Sequence, residues 1–467
     1  MKKQIIFILA LFVSISLFSQ SPVGSWNGLL KVQGQQIRLV INIQQVENGY
    51  KATMDSPDQG AKGIPVDQVT FVNDTLKFEV KMIGVTYAGL MGNDQIIKGT
   101  FTQMGMSLPL DLSTVEVKKE KVVRPQEPKA PFPYHSEEVK FINKVDGDTL
   151  AGTLTLPDKK GRFPVVVLIT GSGPQNRDEE LMGHKPFLVI ADFLTRNGIA
   201  VLRYDDRGTA QSTGDFQKAT STDLANDAEA AVNFLLARKD INIKKIGLAG
   251  HSEGGMIAPM VAARNPKVAF IVLLAGPGLR GKELLELQTV AIAKASGMSD
   301  TELAKVLKIN SGAYGLVLQS NDTAKLKTDL NDYLLTTLKD DPTLGENATQ
   351  EQLDMKAKAY TVQLSSPWMQ YFIKYDPYPT LKKVKCPTLA LNGSKDLQVL
   401  PAENLAVIRK AFGESGNKRL IAIELLELNH LFQECTTGSP SEYAVIEQTV
   451  SPIALNEMLK FINQQTK

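Results

Sequence analysis

One stretch restricts the fold more than any other: Ile246-Gly-Leu-Ala-Gly-His-Ser-Glu-Gly-Gly-Met256. It opens apolar, as a buried strand does, turns glycine-rich, and continues with Met256, Ile257, Ala258, Met260 and Val261 as a helix would. Within it, Gly250-His251-Ser252-Glu253-Gly254 fits G-x-S-x-G, the pattern that holds a serine on a strained turn from strand to helix. The backbone of such a turn is so tight that a Cβ at Gly250 or Gly254 collides with the neighbouring strand or helix. The serine hydroxyl then stands above the sheet. The helix behind it offers unpaired N–H groups and a positive dipole to a developing anion. The plainer reading is a glycine-rich β–α turn with a buried, hydrogen-bonded Ser252.

The surrounding pattern suits the first reading. Residues 138–144 and 149–156 read as two strands around Asp146-Gly147-Asp148, and 163–170 is a continuous apolar run, as a strand buried on both faces requires. A helix at 186–197, a strand at 200–204, a helix at 222–238, the serine turn and a strand at 268–275 follow. Alternation of this kind implies right-handed crossovers and a doubly wound, mostly parallel sheet with ligands at the carboxyl ends of its strands. From about 279 to 375 strands vanish and helices dominate, with capping boxes at Ser299-Asp-Thr-Glu302 and Thr349-Gln-Glu-Gln352. This reads as a helical cap. Strands at 387–392 and 420–426 then resume the sheet, with helices at 403–412 and 452–463.

Upstream, residues 21–115 alternate with period two (Ile37, Leu39, Ile41, Ile43; Leu76, Phe78, Val80, Met82) between turns at Gln33-Gly34, Glu47-Asn-Gly49, Asn73-Asp74 and Gly92-Asn-Asp94. About eight antiparallel strands are expected, as a small β-barrel or sandwich. Residues 116–134, with Lys118-Lys-Glu-Lys121 and four prolines from Pro125 to Pro133, read as a stiff, Pro-rich linker. Residues 1–20 have the form of a signal peptide: Lys2 and Lys3, an apolar run too short to span a bilayer, then small polar residues. No cysteine stands near its end to carry a lipid anchor. The mature chain is expected to be exported, periplasmic or extracellular, with no stable membrane insertion. Without Lys2 and Lys3, the 52 basic residues fall to 50 against 50 acidic ones, which argues against a nucleic-acid partner. Cys386 and Cys435 are expected at opposite ends of their strands and unbridged.

A serine hydroxyl needs a base to take its proton and an acid to orient that base. Four histidines are available. His135 lies at the linker end, His184 in a loop after the first buried strand, and His251 inside the turn with its ring aimed away from Ser252. His430 follows the last strand and is the expected base. Asp396, in Asn392-Gly-Ser-Lys-Asp396 after the preceding strand, is the expected acid; Glu424 and Asp376 are rivals placed in a strand and at the cap exit. An oxyanion hole is expected from the backbone N–H groups of Glu253 and Ser172. The order Ser252, Asp396, His430 is that of the α/β-hydrolases. No metal or cofactor is implied.

From about residue 136 onward the chain resembles secreted bacterial α/β-hydrolases, esterases near the dienelactone-hydrolase and prolyl-oligopeptidase-like group. Gly171-Ser-Gly-Pro-Gln-Asn-Arg-Asp178, Arg203-Tyr-Asp-Asp-Arg-Gly208, Gly250-His-Ser-Glu-Gly-Gly255, Asn392-Gly-Ser-Lys-Asp396 and Asn429-His430 carry the resemblance. Where many relatives have His-Gly at the oxyanion loop, this chain has Thr170-Gly171. The resemblance implies structural roles for Asp205, Asp206 and Arg207. The β module lies outside it, although Gly24-Ser-Trp-Asn-Gly28 resembles the opening of lipocalin-like barrels. The expected activity is cleavage of small esters with short acyl chains through an acyl-enzyme on Ser252. In the cap, Met298, Leu303, Val306, Trp368, Met369, Tyr371 and Phe372 are expected either to roof the pocket or to form plain cap core. A peptidase or aminopeptidase of the same fold remains open, as does a non-catalytic scaffold whose β module binds a ligand.

Overall fold

The computed structural model describes residues 21–32, 35–103, 106–119, 124–344 and 348–466. Residues 1–20, expected as a signal peptide, the turn at Gln33-Gly34 and the Glu120-Lys121 part of the charge run lie outside the described residues. The chain divides between Glu120 and Lys121 into two compact units.

The first unit carries nine strands: β1 (Gly24–Val32), β2 (Gln35–Val46), β3 (Gly49–Ser56), β4 (Ala61–Pro65), β5 (Gln68–Val72), β6 (Thr75–Val80), β7 (Val85–Met91), β8 (Ile96–Gln103) and β9 (Met106–Ser113). They form one sheet in the order β4-β3-β2-β1-β9-β8-β7-β6-β5. Pairing is antiparallel from β5 through β9 to β1 and from β2 to β4. A sandwich, one of the two expected forms, is therefore excluded for the described residues. Every second side chain of β7 is buried. Trp26, Ile41, Phe78, Tyr87, Ile97 and Leu112, from strands across the sheet, share one apolar cluster, so the sheet curls around that face. The sheet has nine strands where about eight are expected, and in β4 Gly63 and Pro65 interrupt the alternation.

The second unit is built on eight strands: β10 (His135–Ile142), β11 (Thr149–Leu156), β12 (Phe163–Ile169), β13 (Ala200–Tyr204), β14 (Ile241–His251), β15 (Val268–Leu274), β16 (Thr388–Gly393) and β17 (Leu420–Leu425). Their order is β10-β11-β13-β12-β14-β15-β16-β17. The pairings β10–β11 and β11–β13 are antiparallel and the rest parallel, so β11 alone runs against the others. Val165, Val167 and Ile169 of β12 enter one core, Val166 and Leu168 the other, which is why this strand reads as an unbroken apolar run. Helices α2 (Ser221–Leu236), α3 (Glu253–Ala262) and α10 (Pro401–Ser415) cover the first face; α1 (Pro186–Arg196) and α11 (Pro452–Thr466) cover the second. Each aliphatic side chain fully buried this way contributes about 1.5–3 kcal/mol.

Between β15 and β16 lie α4 (Gly281–Ala295), α5 (Asp300–Gln319), α6 (Thr323–Thr337), α7 (Gln350–Leu364) and α8 (Pro367–Lys374), then the short α9 (Tyr378–Leu381). Ser299 and Thr349 form the capping boxes of α5 and α7, and Asp322 caps α6. These helices have a core of their own around Ile309, Val317, Leu330, Leu353 and Ile373. Leu303, Met369 and Phe372, candidates for a pocket roof, are buried.

The spacer reading of residues 116–134 needs correction. From Arg124 on, the segment is fastened to the second unit. The Arg124 guanidinium is buried and donates to the carbonyls of Gly183, Ala444 and Ile446. The Gln126 amide donates to Val450 O at 2.7 Å and accepts from Thr449 N–H at 2.6 Å. Proline spacing indicated stiffness, but one buried arginine and one glutamine supply the docking.

Candidate active site

β14 ends at His251, and Ser252 turns the chain into α3 with φ 52° and ψ −117°, a conformation a side chain adopts only under strain. Its N–H is held by Leu274 O of β15 at 2.8 Å. A Cβ on Gly250 would overlap the Gly254 carbonyl, and one on Gly254 the Ile169 carbonyl of β12. Both glycines are thus demanded by the sheet and helix closing on the turn. Ser252 is half-buried between fully buried neighbours, and its hydroxyl has no hydrogen-bond partner among the described residues.

His430 and Asp396 meet at the same end of the sheet. His430 Nδ1 lies 2.8 Å from Asp396 Oδ2, and both side chains are almost fully buried. Asp396 Oδ1 accepts from the N–H groups of Gln398 and Val399, at 2.8 and 2.9 Å, and Oδ2 from Asn392 at 3.1 Å. Three donors besides the imidazole therefore fix this carboxylate. Asn429 sets the histidine loop: its side-chain oxygen accepts from Leu431 and Gln433 N–H, both at 3.0 Å. Gly393 lets that loop cross the end of β16, because a Cβ there would enter the Leu428 carbonyl. The rivals lie elsewhere, Glu424 exposed on β17 and Asp376 paired with Arg280 at 3.2 Å.

The loop after β12 lies against the serine. A Cβ on Gly171 would stand 3.3 Å from Ser252 Cβ. Gly171 N–H is already taken by Glu179 Oε1 at 2.7 Å, whereas Ser172 N–H has no acceptor among the described residues. Glu253 opens α3, so its N–H is among the donors a helix leaves unpaired. Asp206, buried beneath this loop, accepts from Thr170 Oγ1 at 2.8 Å and Gln175 N–H at 2.9 Å. Burial holds its pKa well above the usual carboxylate value. Arg207 is bound to Asp227 through two nitrogens, at 2.7 and 2.8 Å.

Two pairings escaped the sequence. The Glu253 carboxylate, fully buried and raised in pKa by that burial, accepts from Ser221 Oγ at 2.5 Å and from the Trp368 indole at 2.8 and 3.0 Å. Cap helix α8 is thereby tied to the residue after the serine. His251 is bonded to Glu179 Oε1 at 3.0 Å and to the His430 carbonyl at 2.9 Å. The other two histidines stand apart. His184 is enclosed by Thr449 Oγ1 and Tyr443 O, and His135 starts β10. Cys386 and Cys435 are free thiols.

The sequence model of the X-Pro dipeptidyl-peptidase (S15) family matches residues 146–421. That span holds Ser252 and Asp396 and stops short of His430. Esterase EstD of Thermotoga maritima is 37% identical over 137 residues, 29% of this chain and 32% of that protein. The match thus spans about a third of EstD's length. Among solved structures, the α/β hydrolase GrgF from Penicillium sp. sh18 aligns with a TM-score of 0.44 at 17% identity, over 71% of this chain and 99% of its own. An esterase of Pyrococcus furiosus aligns with a TM-score of 0.44 at 14% identity, over 75% and 100%. No described helix is long and apolar enough to cross a membrane.

Proposed function

The chain belongs to the X-Pro dipeptidyl-peptidase (S15) family, and we propose that it is a serine hydrolase acting on carboxylic esters with short acyl chains. The observation that carries this reading is the buried His430–Asp396 contact at the sheet end where Ser252 stands on its strained turn. In this reading His430 Nε2 takes the Ser252 proton as the oxygen attacks the ester carbonyl. Asp396 accepts from His430 Nδ1–H and stabilises the imidazolium that forms. The N–H groups of Glu253 and Ser172 receive the oxyanion, each worth roughly 2.7–4 kcal/mol in the transition state. His430 then returns the proton to the leaving alcohol, and water, deprotonated by the same base, releases the acid from Ser252. The open Ser252 hydroxyl is consistent with a site that tightens when substrate binds.

Esters are preferred as substrates because EstD, 37% identical over 137 residues, is named an esterase. Of the carboxylates beside the serine turn, Glu253 is buried with both oxygens bonded to Ser221 or Trp368, so it is not offered to a substrate amine, and Glu179 is buried behind the site. Peptidase action is the second reading, favoured by the family's own description. A fluorophosphonate probe should label Ser252 and lose its target in Ser252→Ala; a chain that stays unlabelled is a binding scaffold. Hydrolysis of p-nitrophenyl acetate and butyrate is expected to exceed that of X-Pro p-nitroanilides. Faster anilide cleavage would assign the peptidase reading. Export through residues 1–20 belongs to the same proposal, supported by their charge and hydropathy pattern.

A further inference from the structure

Glu179 and His251 lie behind the site, and the reaction above uses neither side chain. Both are nine-tenths or more buried. Glu179 also holds a left-handed backbone conformation, φ 51°, which a glutamate adopts only when its surroundings enforce it. Its Oε1 receives Gly171 N–H at 2.7 Å and faces His251 Nδ1 at 3.0 Å. On the other side of the ring, His251 Nε2 lies 2.9 Å from the backbone carbonyl of His430.

Proton counting constrains this chain of contacts. A carbonyl oxygen only accepts, so His251 Nε2 carries a hydrogen. A neutral imidazole would then turn the bare lone pair of Nδ1 toward a carboxylate oxygen that already accepts from Gly171. With Glu179 as a carboxylate, both contacts are made only when both ring nitrogens carry hydrogen; the other arrangement is a neutral Glu179 whose Oε1–H donates to a bare Nδ1. The charged and titratable groups facing His251 are Glu179, the His430 ring (centroids 4.8 Å apart) and Asp396 behind it. Burial opposes a charge on His251, yet the Glu179 carboxylate and the His430 carbonyl hold its pKa above the ordinary histidine value.

We propose that Glu179 and His251 form a standing carboxylate–imidazolium pair that positions three parts of the site at once. The carboxylate fixes the oxyanion loop through Gly171. The imidazolium fixes the end of β14 next to Ser252. Its second N–H fixes the backbone from which the His430 side chain springs. Both are positioning residues, and their effect on turnover rests on the reading of Ser252 and His430 given above. Their protonation does not rest on it. The two opposite charges cancel inside the core, so removing either side chain alone would leave a buried, uncompensated ion.

The test is tautomer-resolved NMR of the full chain with nitrogen-15-labelled histidine, His251 being assigned through its own Cβ and backbone. Both ring nitrogens of His251 should appear protonated from pH 6 to pH 8. A bare Nδ1 anywhere in that range would overturn the proposal, whether the carboxyl carried the proton or not. In Glu179→Gln the second N–H signal should disappear, because an amide cannot stabilise the cation. Its persistence would also refute the pairing. For turnover, Glu179→Gln should lower kcat about 10- to 100-fold with KM little changed, as when the orienting partner of a ligand histidine is lost. The double variant with His251→Asn should lose no more than the worse single variant; fully additive losses would show that the two act separately. Fluorophosphonate labelling of the wild type tests the serine reading alone, so failure of one leaves the other standing.

Discussion

Replacing Arg124 by alanine in the full chain tests whether the residues before the sheet belong to the catalytic unit. Arg124 is 6% exposed. It donates to Gly183 O at 3.2 Å, Ala444 O at 2.6 Å and, more distantly, Met182 O at 3.5 Å, besides the Ile446 carbonyl. Burial lowers its pKa, but the guanidinium stays charged. A hydrogen bond from a charged donor is worth about 1.5–3 kcal/mol, and a stranded buried acceptor costs about 1–3 kcal/mol. Water entering the vacated space recovers part of this, so the net loss should be about 3 kcal/mol, not the sum over the carbonyls. Urea unfolding followed by far-ultraviolet circular dichroism is the suitable assay, since α1 to α11 all lie in the second unit. The midpoint should fall with the slope unchanged. Ala444 and Ile446 sit in the loop from His430 to α11, where Ser451 N–H holds Phe432 O at 2.7 Å. Esterase turnover should therefore fall with stability. A change below about 0.5 kcal/mol, the size of an ordinary surface substitution, would refute the docking and restore the spacer.

His184 should make the fold sensitive to acid. Burial, then the nearby Arg124 charge, lower its pKa from 6.5 to about 4. The unfolded chain thus takes up the proton first, and stability present above pH 6.5 is lost as pH falls toward 4. The difference of about 2.5 pH units corresponds to roughly 3 kcal/mol at most, and His184→Gln should flatten that part of the stability profile measured by urea titration at each pH. Asp396→Asn should cut kcat by about 10⁴ with the fold intact, the scale known for a base left in the wrong tautomer; esterase kinetics showing less than a tenfold loss would remove Asp396 from the site. Trp368→Phe deletes the indole donor to the buried Glu253 carboxylate and should cost about 1.5–3 kcal/mol, together with lower kcat/KM. Unchanged thermal unfolding would show that the cap is not held there.

The local sequence determined whatever depends on spacing within one element or between neighbours. Period-two alternation declared the β unit, the apolar run of β12 declared a strand covered on both faces, and Gly250 and Gly254 declared a turn with no room for a side chain. Chain order was enough to expect Asp396 and His430 near each other, because parallel strands deliver successive loops to one edge. Tertiary structure alone decided the contacts between residues far apart in sequence. Nothing near Glu179 announces His251, 72 positions on, and nothing near Trp368 announces Glu253. Arg124 reads as one more basic residue in a charged, proline-rich segment until the carbonyls of distant loops surround it. Such partners leave no periodic trace, since a buried charge is satisfied by whichever backbone or side chain the fold brings within hydrogen-bond reach.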